Sequence, residues 1–144
     1  MSTKGRYGLR IMIELANNYG KGPQSVETIA THQHISGKYI HVIAMNLKSA
    51  GLLRTVRGPN GGYELAKNPS AITALDIVLA LEGKNAPVDC VINAAYCLRA
   101  NACVARDLWC DIATAIDNVL AGQTIEQLAQ KQQAYLDTRH CYTI

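Results

Sequence analysis

Between Ser25 and Ala66 the chain carries the pattern that most narrows its fold. Two short amphipathic segments are separated by a few residues, and two strand-like runs follow around a glycine-rich turn. Ser25 is placed to cap a short helix bearing Val26, Ile29 and Ala30. After a break near His32–Ile35, Ser36 caps a further helix that stops at Gly51, a good residue for the position after a helix end. In that helix Tyr39, Ile40, Ile43, Ala44 and Leu47 make the apolar face, while Lys38, His41, Val42, Met45, Lys48 and Ser49 lie opposite. An outer face that mixes charge, imidazole and apolar tips is not committed to a core, and two helices so joined read as a helix-turn-helix. Leu52–Arg57 then reads as a strand, Gly58-Pro59-Asn60-Gly61-Gly62 as a turn and Tyr63–Ala66 as its return. A hairpin directly behind a helix-turn-helix makes a winged helix. The glycine-rich turn is no nucleotide loop, because no Gly-Lys-Ser/Thr follows it.

The flanking segments are helical too. From Arg6 to Tyr19, Ile11, Met12, Leu15, Ala16 and Tyr19 share one helix face, and Gly20 and Gly22-Pro23 end it. Thr73 with Asp76 forms a capping box for a helix bearing Leu75, Val78, Leu79 and Leu81 and ended by Gly83. Asn85–Ala102 has no clean period and reads as a loop, of a length that is usually functional. The period returns from Val104 to Ala121 through Val104, Leu108, Ile112, Ala115, Ile116, Val119 and Leu120. Eighteen residues span about 27 Å, long for a small winged helix to cover alone, so this is expected to be a dimerisation helix. Thr124 and Gln127 cap a last short helix around Ile125–Gln130. The expected fold is mainly α with a small β-hairpin wing. It divides into a winged helix-turn-helix at residues 1–83, a cysteine-rich sensor loop at 84–103, and a dimerisation helix with a C-terminal helix and tail at 104–144.

Charge follows the same division. Residues 1–70 hold nine Lys/Arg and three acids, a net of +6; residues 71–144 hold five and eight, a net of −3. A basic first half joined to an acidic second half suggests a polyanion-binding head on a separate body, against the plainer reading of two solvated surfaces. No apolar run approaches the roughly 18 residues that span a bilayer, and the N-terminus has no signal-like stretch, so a cytosolic protein is expected.

Duplex DNA is the polyanion this arrangement suits. Lys4, Arg6 and Tyr7 at the start of the first helix can grip phosphate, the other reading of Tyr7 being core packing. Ser36 both caps its helix and can donate to a phosphate at that helix N-terminus. Lys38, His41 and Val42 are the residues expected at base edges, Lys for guanine and Val for a thymine methyl, and Tyr39 is counted with the DNA-binding residues. Arg57 and Asn60 at the wing tip would reach phosphate or the minor groove, the alternative being a solvated hairpin. His32 and His34 lie in the turn and read as solvent-facing.

Four of the five cysteines, Cys90, Cys97, Cys103 and Cys110, lie within 21 residues. In a reducing compartment such a cluster reads as a metal, iron–sulfur or redox site rather than as a disulfide framework. Thiolates at these spacings can hold an iron–sulfur cluster, whose ligands are mostly Cys. Structural zinc favours a shorter Cys pair, which is lacking. A bare thiol switch and inert buried thiols are the other readings. Cys141 is isolated and reads as inert. No Cys-x-x-Cys, cofactor-binding glycine fingerprint or acid/base pair supports an enzyme such as a small oxidoreductase.

Ser-Thr-Lys-Gly-Arg-Tyr-Gly-Leu at 2–9, Ser36-x-x-Tyr39-Ile40, Leu47-Lys-Ser-Ala-Gly-Leu-Leu, Arg57-Gly-Pro-Asn-Gly-Gly-Tyr and Ile72-Thr-Ala-Leu-Asp-Ile together resemble the Rrf2 family of bacterial winged-helix regulators, which has IscR-like, NsrR-like and CymR-like members. The resemblance covers essentially the whole chain. It implies a homodimeric transcriptional regulator, held by crossed long helices, that binds a roughly palindromic operator. In many members it also implies an iron–sulfur cluster on three cysteines, here Cys90, Cys97 and Cys103, with 2Fe–2S preferred to 4Fe–4S. The IscR-like spacing is Cys-x5-Cys-x5-Cys, and the first gap here is one residue longer. Arg106 stands where IscR-like members have a fourth-ligand His, and Tyr7-Gly8 where NsrR-like members have an acid. Cys110, or more weakly Asp107, is the remaining candidate, and the fourth ligand stays open. A clusterless regulator sensing thiol oxidation or serving cysteine metabolism is the alternative of the same fold. Many members carry Glu-Gln where this chain has His41-Val42, which implies a different operator.

Overall fold

The computed structural model describes residues 2–84 and 86–140, without the side chains of 139 and 140; Cys141 and the side chain of His140 lie outside the described residues. Among the described residues the six expected helices and the hairpin follow in order, joined by one further short helix and three 3-10 turns. Helix α1 (Thr3–Asn17) begins earlier than its apolar period, because the Ser2 hydroxyl accepts from the amides of Lys4 and Gly5. Helix α2 (Val26–Gln33) is capped by Ser25 and ends on His34 in the left-handed conformation. Helix α3 (Gly37–Ser49) is capped by Ser36, whose hydroxyl accepts from the Tyr39 amide. The break between α2 and α3 is thus tighter than expected, His34 taking the left-handed role that glycine usually fills.

Strands β1 (Leu53–Val56) and β2 (Gly62–Leu65) pair antiparallel with Arg54 opposite Glu64 and Thr55 opposite Tyr63. Gln24, just ahead of α2, bridges to Tyr63 through two backbone hydrogen bonds of 2.9 Å, which fasten the hairpin to the start of the helix-turn-helix. Helix α4 (Ala74–Glu82) carries the expected reciprocal box between Thr73 and Asp76.

The core is one cluster. Ile11, Met12 and Leu15 of α1, Ile29 of α2, Ile40, Ile43 and Leu47 of α3, Leu53, Tyr63 and Leu65 of the hairpin and Ile77 and Leu81 of α4 are buried together. Leu, Ile and Met fill it without a phenylalanine in the chain.

Two segments differ from the sequence expectation. The stretch read as a loop contains a single helical turn, α5 (Asp89–Ile92), and 3-10 turns at Ala94–Tyr96 and Ala100–Ala102. Helix α6 (Val104–Ala121) has the expected bounds, but helix α7 (Ile125–His140) runs well beyond Gln130. Its first turns are not a tail. Ile125 and Ala129 are buried, the Ile125 amide donates to the Ile72 carbonyl, and α7 packs along α1. Helix α6 is the exception to burial: it touches α4 and α5, yet none of its residues is buried.

Candidate nucleic-acid interface and cysteine segment

Two surfaces carry the candidate residues. On the first, α3 presents Lys38, His41, Val42 and Met45 to solvent while Ile40, Ile43, Ala44 and Leu47 anchor it. Met45, 70% exposed, is the most protruding apolar tip of this face. The wing tip places Arg57 and Asn60 in the open, and Arg54 is tied down across the hairpin by Glu64 at 2.8 Å. Of the two arginines of the hairpin, three residues apart, Arg54 is thus engaged by Glu64 while Arg57 is exposed.

At the start of α1, Arg6 is exposed and Lys4 half-buried. Tyr7 is packed against the core, edge-on to Tyr39 at 6.0 Å, with the Arg6 and Arg10 guanidiniums 4.8 and 5.5 Å from its ring centre. The packing reading of Tyr7 matches these surroundings, and Tyr39 shares them. The Tyr7 ring, braced by Tyr39, holds Arg6 by cation–π attraction. Lys4, Arg6, Ser36 and Lys38 thus belong to adjoining helix starts, a geometry in which amides and cations can take phosphate.

His41 is not simply a free reader. Its Nδ1 lies 2.7 Å from the Tyr63 hydroxyl, the two rings meeting edge to face at 6.0 Å. Burial pushes the Tyr63 phenol above its ordinary range, so it keeps its proton throughout the working pH range. The sequence marks Tyr63 only as a strand residue, and no spacing signal links positions 22 apart. His32, read as a solvent-facing turn residue, lies in the last turn of α2 and is bound: its Nδ1 lies 2.8 Å from Glu14, whose other oxygen accepts from the buried Gln33 side-chain amide at 2.9 Å. Arg10 completes the group by donating to the Gln33 carbonyl at 2.6 Å, which ties α1 to the end of α2.

On the second surface lie the cysteines. Cys90 sits in α5, Cys97 follows a 3-10 turn, Cys103 is the residue before α6, and Cys110 is on α6; all four are free and half-buried. Arg106 donates from Nε to the Cys90 carbonyl at 2.9 Å, so the residue found where a histidine ligand was sought acts as a clamp between α5 and α6. Cys103 and Cys110 fall on one side of α6 but are separated by about 10 Å along its axis. Among the described residues no group of three or more Cys, His, Asp or Glu side chains is gathered as a metal ion requires. The donors are of the right chemistry for a cluster, but their placement does not form its cradle.

Among the described residues no helix is long and apolar enough to cross a membrane. The family model named Rrf2, an iron-dependent transcriptional regulator, matches residues 1–131. The chain is 42% identical over 140 residues to the HTH-type transcriptional regulator CymR of Bacillus subtilis, covering 94% of this chain and 96% of that protein. It is 29% identical over 133 residues to the regulator IscR of Photorhabdus laumondii, covering 92% and 80%. Among solved structures it is similar to CymR, the global cysteine regulator of B. subtilis, with a TM-score of 0.76 and 43% identity over 91% of this chain and 96% of that one. Similarity to the T. potens IscR structure has the same TM-score, with 33% identity over 92% and 87%.

Proposed function

Since the chain belongs to the Rrf2 family of transcriptional regulators, we propose that it acts as a homodimer on a roughly palindromic operator, with the cysteine segment setting its affinity. The observation that carries the DNA-facing half is the outer face of α3. Lys38, His41 and Val42 are exposed on a helix whose other side is fully anchored, and Arg57 and Asn60 are exposed at the wing tip. In this reading Lys4, Arg6, Tyr7, Ser36, Tyr39, Arg57 and Asn60 position the duplex, and Lys38, His41 and Val42 face base edges.

The regulatory half works by linkage. The cysteine segment is clamped to α6 through Arg106, and α6 carries the open apolar stripe through which two subunits would meet. A change in the thiols that moves α5 against α6 alters the relative pose of the two α3 helices. Operator affinity then shifts by the difference in binding between the two poses, typically about 1–3 kcal/mol.

For the chemistry at the cysteines, the residue types and the IscR-like relatives support an iron–sulfur cluster on Cys90, Cys97 and Cys103 with Cys110. The ungathered thiols and the CymR relatives favour the second reading, a clusterless regulator responding to thiol oxidation or cysteine metabolism. A visible absorption spectrum of protein purified without oxygen, with iron and sulfide assayed on the same sample, separates them. A brown protein with equal iron and sulfide supports the cluster; a colourless protein that stays apo after reconstitution eliminates it.

The DNA reading is tested by titrating duplex fragments over a range of salt. With three or four phosphate contacts per half-site, log K should fall with log salt at a slope near −0.9Z, with Z about 6–8. Substituting Lys38→Ala and Arg57→Ala together should flatten that slope, and an unchanged slope removes both from the interface.

A further inference from the structure

We propose that Tyr63 fixes the tautomer of His41, so that the recognition helix offers the duplex a hydrogen-bond donor and discriminates against cytosine at the base it meets. The inference deepens the DNA-binding reading above and rests on it. Its starting point is the 2.7 Å contact between the Tyr63 hydroxyl and His41 Nδ1.

A neutral imidazole has one N–H and one bare nitrogen, and the partner of the first nitrogen decides what the second presents. Two arrangements fit the contact. In one, the phenol donates to Nδ1 and the proton of the ring sits on Nε2. In the other, Nδ1–H donates to the phenol oxygen and Nε2 is bare.

Two features select the first. Phenol is the stronger acid and imidazole nitrogen the stronger base of the pair. The second arrangement would also leave the O–H of a buried tyrosine without an acceptor among the described residues, the costlier way to divide these groups.

The phenol is itself immobilised. Tyr63 pairs with Thr55 across the hairpin and exchanges both backbone hydrogen bonds with Gln24 at 2.9 Å. The hydroxyl therefore meets His41 at a fixed point, and the exposed imidazole is oriented before DNA arrives. With Nε2–H available from an exposed position on α3, the acceptors it can meet in the major groove are guanine O6 and N7, adenine N7 and thymine O4. Cytosine alone shows only an exocyclic amine there and would oppose a donor with a donor. Protonation of the ring leaves this preference in place, because both nitrogens then donate.

The test uses the full-length protein and a library of duplexes with a randomised core, from which base preferences are read for the parent, His41→Ala, His41→Gln and Tyr63→Phe. The parent should prefer guanine, adenine or thymine over cytosine at one position per half-site by about tenfold. His41→Ala should abolish that preference alone. Tyr63→Phe keeps the ring and its packing but frees the tautomer, so discrimination there should fall to a few-fold with the other positions unchanged. His41→Gln, which presents both a donor and an acceptor, should move the preference toward adenine.

A His41→Ala variant with every preference intact would remove His41 from the base edges, and with it this part of the DNA reading. Loss in His41→Ala but parental discrimination in Tyr63→Phe, or a parental preference for cytosine, would overturn the tautomer assignment while leaving the reader in place. A nitrogen NMR spectrum of the DNA-free protein gives an independent check. A bare Nδ1 and protonated Nε2 in His41 are expected, and the reverse overturns the proposal.

Discussion

At Gly62 the backbone of the return strand runs against that of Gln24, and a Cβ there would collide with the Gln24 carbonyl. Backbone cannot step aside as a side chain does, so Gly62→Ala should cost about 2–3 kcal/mol, read as a lower urea midpoint with an unchanged slope. Gly51 is the comparison: its φ of +68° strains any other residue, but a Cβ there meets open space, so Gly51→Ala should cost about 1–2 kcal/mol. Equal losses would show that the Gln24–Tyr63 bridge is not rigid. A second residue-scale effect depends on pH. Burial pulls the Glu82 carboxyl upward, but hydrogen bonds from the Ser2 hydroxyl and amide, at 2.8 and 2.7 Å, outweigh it and leave the carboxyl below its ordinary range. Because the folded value is the lower one, the contribution is present above the ordinary carboxylate value and is lost as pH falls through the depressed value. Urea midpoints measured from about pH 6 down to pH 3 should therefore fall less steeply for Glu82→Gln than for the parent. Parallel curves would dissociate the contact from the acid response. Individual caps of this kind were legible beforehand, Ser25, Ser36 and the Thr73–Asp76 box above all, since each uses residues within one turn. The His41–Tyr63 and Glu14–His32 contacts were not, because they join residues that only the fold brings together.

Among the elements, those with a strong apolar period were readable and those without were not. Helix α6 has the bounds its period predicts, and the strands depart from theirs by a residue or so. Helix α7 was underestimated because Lys131-Gln132-Gln133 breaks the stripe, although Ala, Gln, Lys and Leu all have good helix propensity and carry the helix onward. The segment read as a loop hides α5 because a single helical turn has no room to show a period. Its order depends on contacts outside itself, of which the Arg106–Cys90 bond is the most direct. Replacing Arg106 with Ala should change stability by only about 0.5–1.5 kcal/mol, the worth of one hydrogen bond. It should also raise the rate of Cys90 alkylation several-fold over that of Cys110, because access to a thiol limits its reaction. Mass-resolved labelling gives the two rates, and an unchanged ratio would mean that α5 is held by its packing rather than by the clamp.

For the whole molecule, the decisive feature is a helix that its own chain does not cover. Along α6, Val104, Leu108 and Val119 are 83, 56 and 69% exposed, with Ile116 open beside them. One such residue is ordinary on a protein surface, but a stripe running the length of an 18-residue helix is what the proposed subunit contact would cover. The winged head has a complete core without this stripe, so assembly and folding are separable. Val119→Glu exploits that separation. In the single chain Val119 faces water, and the substitution should alter stability by no more than about 0.5 kcal/mol. Between two subunits it would bury a carboxylate against apolar surface, which is costly unless paired. Sedimentation should then show a species near 15.6 kDa in place of one with twice that mass. Two half-sites held by separate molecules also forfeit the effective concentration that joins them, so affinity for a palindromic duplex should drop by roughly 10²–10⁴. Affinity for a single half-site should be preserved, since α3 and the wing are untouched. A variant that remains dimeric with full operator affinity would place the subunit contact elsewhere. It would also remove the route by which movement of α5 against α6 reaches the recognition helices.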